Sequence, residues 1–286
     1  MNGLIWIASY PKSGNTWFRA FLANYLRESE KPVDINDLDA IPISSDRALF
    51  DQYCCVSSAD LTFEEIDRFR PRVYELFTTQ NPSPAFMKIH DANRRLDRGE
   101  PLISQSSRGA IYLIRNPLDV AVSFAHHGGY PIDQIIAMMA NSHYAICSSS
   151  DRLHVQLRQI TLSWSEHVKS WVDHSFPPVY ILRYEDMKNE PERVFSEAIR
   201  FTGLPMEMEQ LRKSIRFSSF SELRRQEEAT NFKERSPQQS GFFFRQGQVG
   251  LWRSALSLEQ VHRIVADHSE IMKRFGYLSE NGDILV

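Results

Sequence analysis

The first 26 residues combine a short apolar run, a polar loop with a glycine, and a segment with helical periodicity. The apolar run Leu4–Ser9 ends at Tyr10 and Pro11, which is typical of a buried strand followed by a turn. Residues 12–16 are polar, and residues 17–26 repeat apolar side chains at helical spacing, with Thr16 as the expected cap. A strand, a tight loop and a helix in this order indicate a P-loop-like anion site, because the first helical amides point at the loop.

The remainder of the chain alternates strand-like and helix-like segments. Apolar runs predict further buried strands at Ala85–Ile89, 110–114 and 179–182. Helical periodicity predicts helices at 118–126, 154–173, 192–202 and 258–275. Such alternation favours a mostly parallel sheet with right-handed crossovers. We therefore predict the α/β class and a single domain over residues 1–286.

Composition excludes several classes of protein. The net charge of −3 argues against nucleic-acid binding, which needs a basic excess. Cys54, Cys55 and Cys147 form no disulfide framework, which favours a reducing compartment. No apolar run is long enough for a membrane span, and the N-terminus lacks the basic lead of a signal peptide. We expect a cytoplasmic protein without a membrane partner. We also expect no metal, because the adjacent His126 and His127 would point in different directions on a helix.

The polar loop at residues 12–16 has the chemistry of an anion site. Gly14 lets the backbone turn closely around a ligand, and the hydroxyl groups of Ser13 and Thr16 can donate hydrogen bonds. Lys12 precedes Gly14, so the Gly-Lys-Ser/Thr pattern of nucleoside triphosphatases and kinases is absent. Taken alone, the segment is also typical of an ordinary strand-to-helix turn.

Residues 10–17 read Tyr-Pro-Lys-Ser-Gly-Asn-Thr-Trp. This segment resembles the phosphosulfate loop of sulfotransferases that use 3′-phosphoadenosine 5′-phosphosulfate (PAPS), which has Thr where this chain has Asn15. Asn is a good turn residue and keeps hydrogen-bonding capacity. The resemblance implies that PAPS is the donor, with 3′,5′-phosphoadenosine (PAP) as product, and that the loop binds it through Lys12, Ser13, Gly14, Asn15, Thr16 and Trp17.

Two later segments are similar to the parts of this family that bind the 3′-phosphate. Residues 112–123 contain Arg-Asn-Pro at a strand end, and the resemblance assigns Arg115 and Ser123 to the phosphate. Residues 244–253 resemble the family's Arg-Lys-Gly-x-x-Gly-Asp-Trp-Lys segment, which assigns Arg245, Gln246 and Gly247. Here Gln246 replaces a Lys and Leu251 replaces an Asp, so one cation is missing. Without the family, Arg115 is as consistent with a structural ion pair.

Three residues match family positions that contact the adenine. The resemblance implies that Tyr184 touches the base, that Ser218 belongs to the Thr-Ser-Phe stretch, and that Phe220 stacks opposite Trp17. An isolated Tyr or Phe is more often a core residue.

His90 is the candidate base. It follows the predicted strand Ala85–Ile89, at the edge of a parallel sheet where ligands bind. The family has Lys-x-His here, which implies that His90 takes the acceptor's proton while Lys88 and Lys12 stabilise the leaving phosphate. A histidine after a strand is otherwise usually structural.

Residues of about 224–244 are polar, contain Pro237 and Gly241, and end in three phenylalanines. We predict a mobile loop on the acceptor side. The acceptor is expected to be a small molecule with a hydroxyl or amine. The short chain and its start resemble bacterial sulfotransferases that tailor secondary metabolites. The alternative is a nucleotide-binding protein without catalysis, and the oligomeric state stays open.

Overall fold

The apolar run at residues 4–9 forms the middle of a parallel sheet. In this computed structural model, which describes residues 3–236, 238–239 and 241–286, the sheet order is β2-β1-β3-β6. The strands are β1 (Leu4–Ser9), β2 (Ala85–Ile89), β3 (Ser107–Ile114) and β6 (Val179–Arg183). Every neighbouring pair in this sheet is parallel. The α/β class and the parallel sheet are confirmed, and β1 and β2 have their predicted bounds.

Helices connect these strands and cover both faces of the sheet. The described residues also form a 3₁₀ turn at Ser58–Asp60 and a hairpin of β4 (Ala145–Ile146) and β5 (Gln159–Ile160). The helices are α1 (Asn15–Arg27), α2 (Arg47–Cys54), α3 (Phe63–Gln80), α4 (Pro117–Gly128), α5 (Ile132–Ala140), α6 (Trp164–Val172), α7 (Tyr184–Asn189), α8 (Pro191–Thr202), α9 (Met208–Phe217), α10 (Phe220–Thr230), α11 (Trp252–Ala255) and α12 (Leu258–Arg274).

Alternate residues of β1 contribute to two separate cores. Leu4, Trp6 and Ala8 pack into the larger core, with apolar residues of α3, α4, α5, α6 and α12. Ile5 and Ile7 pack into the second, with α1, α8 and α9. Because both faces are covered, every residue of β1 is buried, which is why its sequence is almost continuously apolar.

Two predicted helix starts were wrong. Thr16 does not cap α1, because Gly14 occupies the cap position with a φ of 98° and the helix begins at Asn15. The helix predicted at 154–173 begins only at Trp164, where the capping box of Ser163 and Glu166 satisfies the first amides.

The loop predicted at about 224–244 also begins later than expected. Helix α10 continues to Thr230, with Ser219 as its cap and an i,i+4 ion pair of Arg224 with Glu228 at 2.7 Å. The irregular part therefore starts at Asn231. Pro237, on which the loop prediction partly depended, lies outside the described residues, and the loop's mobility stays a prediction.

Three observations concern partners and compartments. Across the described ranges, no helix is both long and apolar enough to cross a membrane. In the same ranges, no group of three His, Cys, Asp or Glu side chains is arranged to hold a metal ion. Cys54, Cys55 and Cys147 are free thiols.

Candidate active site

The carboxyl ends of the four strands lie at one edge of the sheet, and each leads directly into a predicted site residue. Lys12 follows β1, His90 follows β2, Arg115 follows β3 and Tyr184 follows β6. Ligands of open α/β sheets bind at this edge. The fold therefore brings together residues that are up to 172 positions apart in the sequence.

The loop between β1 and α1 places the first backbone amides of the helix beside the edge of the sheet. The hydrogen bonds of α1 start with Phe18 N–H, which donates to the Gly14 carbonyl at 3.1 Å, so the amides of residues 15–17 point toward the loop. A Cβ atom at Gly14 would lie 2.7 Å from Cδ2 of Tyr184. Glycine is therefore required by both its φ and its neighbour.

Several buried polar atoms around this loop lack a hydrogen-bond partner among the described residues. They include Ser13 Oγ, Trp17 Nε1 and Arg115 Nε. Buried polar groups are normally paired, so unpaired ones beside an amide-lined loop fit a polar ligand. This is the property expected of a site for an anionic nucleotide.

Asn15, the one departure from the family's loop, also has a structural role. Its Nδ2 donates to the Ile7 carbonyl at 2.9 Å and to Ser9 Oγ at 3.1 Å. These bonds fix the first turn of α1 to the end of β1. The side-chain amide therefore anchors the loop, while the backbone N–H remains directed at the ligand side.

Arg115 is the centre of the site and joins three segments. Its Nη1 donates to the Lys12 carbonyl at 3.3 Å and its Nη2 to the Gln248 carbonyl at 3.1 Å. The guanidinium also lies 4.2 Å from the centroid of the Tyr184 ring. Arg115 therefore links the first loop, the C-terminal segment and the aromatic wall, as a structural ion-pair partner alone would not.

Asp119 holds the C-terminal segment in place, and the sequence analysis missed it. Its carboxylate accepts the amides of Gly250 at 2.8 Å and Trp252 at 3.1 Å, and it lies 3.7 Å from Arg115 Nη2. An acidic residue in the first turn of α4 was a visible signal. Its partners, more than a hundred positions away, were not.

Three of the predicted adenine residues are aromatic, and they contact one another or the glycines of the binding segments. Trp17 meets Tyr184 edge-to-face at a centroid distance of 5.8 Å. Phe220 begins α10 and packs directly against Gly247, whose φ is 58°. Ser218 is buried, and its hydroxyl donates to the Ser214 carbonyl at 2.8 Å. The bond leaves Ser218 Oγ only as an acceptor.

The remaining predicted residues lie near the end of α4. Ser123 is half-buried on α4, and Arg245 and Gln246 are exposed. Burial lowers the pKa of His126, one turn after Ser123, and the nearby positive charge of Arg245 lowers it further. Arg245 is therefore close to the helix face that carries Ser123.

His90 is held in one tautomer. Its Nδ1 donates to the Ser9 carbonyl at 2.7 Å, so the neutral ring has an unprotonated Nε2. Burial first, and the charge of Lys88 second, hold the pKa of His90 well below its usual value. The ring is therefore neutral at physiological pH and can accept a proton at Nε2.

A second, fully buried histidine fixes the backbone of His90. His167 Nε2 donates to the His90 carbonyl at 3.1 Å, and its Nδ1 accepts from Tyr112 OH at 2.8 Å. Burial lowers the pKa of His167 to about 3. Sequence analysis missed this residue, because its partners Tyr112 and His90 are distant in the sequence.

The ammonium group of Lys12 lies over an aromatic ring. Its Nζ is 4.0 Å from the centroid of Phe243. Burial, followed by repulsion from Lys88 and Arg115, lowers the pKa of Lys12 to about 7. A cation this destabilised gains more than an ordinary lysine from an anionic ligand.

Two glutamates that the sequence analysis did not select organise the segment before Arg245. Glu227, buried on α10, accepts the amides of Phe243 at 2.6 Å and Phe244 at 2.8 Å. Glu234 pairs with Lys88 at 3.2 Å. No pattern in the sequence marked either residue.

Comparison with known proteins identifies the family. The family model for the sulfotransferase domain matches residues 3–276. The chain belongs to the sulfotransferase family. Sulfotransferase 1A1 of the dog is 26% identical over 282 residues, which are 94% of this chain and 83% of that protein. Cytosolic sulfotransferase 1 of Arabidopsis thaliana is 26% identical over 273 residues, 90% of this chain and 75% of that protein.

Solved sulfotransferase structures share the fold. A mouse sulfotransferase in complex with PAP has a TM-score of 0.59 at 21% identity and covers 95% of this chain and 84% of that chain. Retinol dehydratase in a complex with retinol and PAP has a TM-score of 0.61 at 18% identity, over 99% of this chain and 83% of that chain. The sulfotransferase resemblance read from the motifs is thus confirmed at the level of family and fold.

Proposed function

We propose that this sulfotransferase transfers a sulfuryl group from PAPS to a hydroxyl or amine of a small molecule, and that the acceptor is a secondary metabolite. The observation that carries the donor assignment is Arg115. Its guanidinium contacts the carbonyl groups of Lys12 and Gln248 and the face of Tyr184, while its Nε has no hydrogen-bond partner among the residues that the structure describes. A fork with a free donor at the meeting point of three segments suits a phosphate.

The residues present fit PAPS. In our proposal the amides and hydroxyls of residues 13–16 bind the 5′-phosphosulfate, and Trp17, Tyr184 and Phe220 enclose the adenine, with Ser218 at its edge. Arg115, Ser123, Arg245, Gln246 and Gly247 bind the 3′-phosphate. A related protein complexed with PAP supports this assignment. Selection for a 3′-phosphate is what would exclude ATP.

The chemistry follows from the groups beside the loop. His90 accepts the acceptor's proton at Nε2 as the nucleophile attacks sulfur in line. Lys12, Lys88 and the amides of the loop stabilise the negative charge that grows on the departing phosphate. No metal is needed for these steps, since cationic side chains and amides supply the electrostatic stabilisation.

The acceptor class is supported more weakly than the donor. Related structures contain retinol and androsterone, which are small alcohols. Phe243 lies over Lys12 and could form part of a wall for such an acceptor. Relatives described as cytosolic support a cytoplasmic location.

Incubating protein and PAPS with a metabolite library, and detecting a gain of one SO₃ by mass, tests the function directly. If no alcohol, phenol or amine in the library gains SO₃, the proposed function is contradicted.

The donor assignment predicts selective stabilisation by PAP. We expect PAP to raise the Tm far more than AMP or ATP at equal concentration, because a ligand stabilises the native state in proportion to its affinity. Differential scanning fluorimetry measures the three shifts. Equal shifts for PAP and AMP would show that nothing in the site recognises the 3′-phosphate.

Arg245→Ala tests recognition of the 3′-phosphate with the least effect on folding. Arg245 is exposed, whereas Arg115 also makes structural hydrogen bonds whose loss would affect folding. We expect Arg245→Ala to leave the Tm of the free protein unchanged and to reduce the preference for PAP over AMP by about tenfold or more. Arg98→Ala, which removes an exposed arginine between β2 and β3, is the matched control.

A further inference from the structure

One carboxylate bridges two buried cations beside the proposed reaction centre. Glu234 Oε1 lies 2.6 Å from Arg19 Nη1, and its Oε2 lies 3.2 Å from Lys88 Nζ. The side chains of Arg19, Lys88 and Glu234 are 3%, 9% and 14% exposed. Solvent therefore screens these charges little, and removing one partner would leave an uncompensated buried charge, unlike in a surface ion pair.

Arg19 is itself immobilised. Its Nε and Nη2 both donate to the Ile41 carbonyl, at 3.2 Å and 2.9 Å. The guanidinium on α1 thus has three fixed bonds, one of them to Glu234. Through this link, a rigid helix defines where the carboxylate lies, and the carboxylate defines where the Lys88 ammonium lies.

The chain around Glu234 is tied down as well. Phe232 is buried, Lys233 N–H donates to Asn36 Oδ1 at 2.7 Å, and Asn36 Nδ2 donates to the Asn231 carbonyl at 2.9 Å. These bonds hold the start of the segment after α10 against the connection between α1 and α2. Glu234 therefore enters the site from an ordered piece of backbone.

Lys88 needs such a partner because its surroundings are cationic. Burial lowers its pKa first, Glu234 opposes this shift, and Arg19 adds to it. Lys12 is close enough for Lys88 to lower its pKa, and His90 and His127 feel the same charge. Glu234 also raises the pKa of Lys12 and of His90, and Glu227 is the second carboxylate that raises the pKa of Lys12. Without Glu234, Lys88 would be a buried cation among cations, a state that favours deprotonation.

We propose that Glu234 is a positioning residue for sulfuryl transfer, which anchors the Lys88 ammonium beside His90 through its second link to Arg19. The inference rests on the proposed function, because it gives Lys88 the task of stabilising charge on the departing phosphate. Glu234 itself touches neither the donor nor the acceptor in this proposal. Its contribution is to keep Lys88 charged and in place.

Glu234→Gln keeps the shape of the side chain and removes its charge. We expect kcat to fall about 10- to 100-fold, as when a transition-state donor is misplaced, while the Kd of PAP changes by less than about threefold. The activity limb at high pH should move to lower pH. The sign follows because Glu234 raises the pKa of Lys88 and of Lys12, and activity is lost as pH rises through these pKa values.

A double-mutant cycle separates action through Lys88 from a general structural role. In the Lys88→Met background, we expect Glu234→Gln to cost less than about twofold in kcat, because the group that it positions is absent. An equal loss in both backgrounds would overturn the proposal. Glu228→Gln breaks the exposed pair with Arg224 on α10 and should leave kcat unchanged.

Further readouts keep the test decisive. If Glu234→Gln fails to fold, Glu234→Asp replaces it in the test. Aspartate keeps the charge but is too short to bridge both cations. We then expect a reduced kcat and an activity profile whose high-pH limb does not move. An Asp variant with wild-type kcat would contradict the positioning role. If the wild-type protein transfers no SO₃, the proposed function is refuted. If the wild-type protein is active and Glu234→Gln has the same kcat, only this inference is refuted.

Discussion

His90→Asn is expected to lower kcat by about 10²- to 10⁴-fold, the usual contribution of a general base, while the Kd of PAP stays unchanged. Asparagine can keep the donor function of Nδ1 toward the Ser9 carbonyl, which His90 contacts at 2.7 Å. It cannot supply the unprotonated Nε2. Single-turnover transfer to an alcohol of high pKa, together with calorimetry of PAP binding, measures the two effects separately.

The pH dependence gives an independent test of the same residue. The pKa of His90 is held well below its usual value, so the neutral base is fully present at pH 6.5 and is lost only as pH falls further. We expect kcat at saturating PAPS, where the bound donor keeps Lys12 charged, to be level from pH 7.5 to 6.5 and to decline below that range. A decline centred near the ordinary histidine pKa would argue for another group.

Two controls accompany the His90 experiments. His167 and His268 are also buried and neutral, and burial lowers their pKa to about 3 and about 4, so protein stability falls as the pH drops below the unfolded histidine pKa. The Tm must therefore be followed over the same pH range. His262→Asn changes an exposed histidine on α12 and should retain wild-type turnover. Loss of both folding and PAP binding in His90→Asn would make His90 a scaffold residue.

Lys12→Met is expected to reduce kcat by about 10²- to 10³-fold, as the loss of one transition-state donor does. Methionine keeps an apolar chain of similar length beside Phe243, whose ring centroid is 4.0 Å from Lys12 Nζ. The fold and the Tm should therefore be preserved. A kcat within about threefold of wild type would show that Lys12 is only a cation of the turn.

The lowered pKa of Lys12 leads us to expect that the protein takes up a proton when PAP binds. Its pKa of about 7 leaves much of the free protein with a neutral amine at pH 7.5. An anionic ligand raises that pKa, so binding takes up a proton and PAP affinity increases as pH falls from 8.5 to 6.5. Calorimetry in buffers of different ionisation enthalpy measures this uptake. Lys12→Met should lack most of it, and uptake unchanged in that variant would assign the proton elsewhere.

The sequence predicted the sheet better than the helices around it. Apolar runs buried on both sides are unambiguous, so β1 and β2 were placed at their bounds. The segment before α6 was misread because its apolar residues mimic a helix: Val155 is 87% exposed while Leu157 is buried. Helix α3 was not predicted, although Thr62 and Glu65 form a capping box before it. Pro71 inside that helix obscures the signal.

The site shows the same division between local and long-range information. Lys12, His90 and Arg115 could be predicted because each follows a strand, a position that a motif can mark. No local pattern indicated that the charge of Lys88 already had an acidic partner. The structure pairs it with Glu234, 146 positions away, and only the path of the chain after α10 creates that contact. Long-range pairs of this kind carry no local pattern.

Glu227 has a consequence for how such an enzyme could change its acceptor. It holds the segment beside Lys12 through the backbone amides of Phe243 and Phe244, not through their side chains. Substitutions at Phe242 or Phe243 would therefore reshape the wall over the site without releasing the chain. A saturation library at these two positions, with Glu227 unchanged, offers a route to new products from one scaffold. PAP affinity is measured alongside, because the Phe243 ring also contacts Lys12.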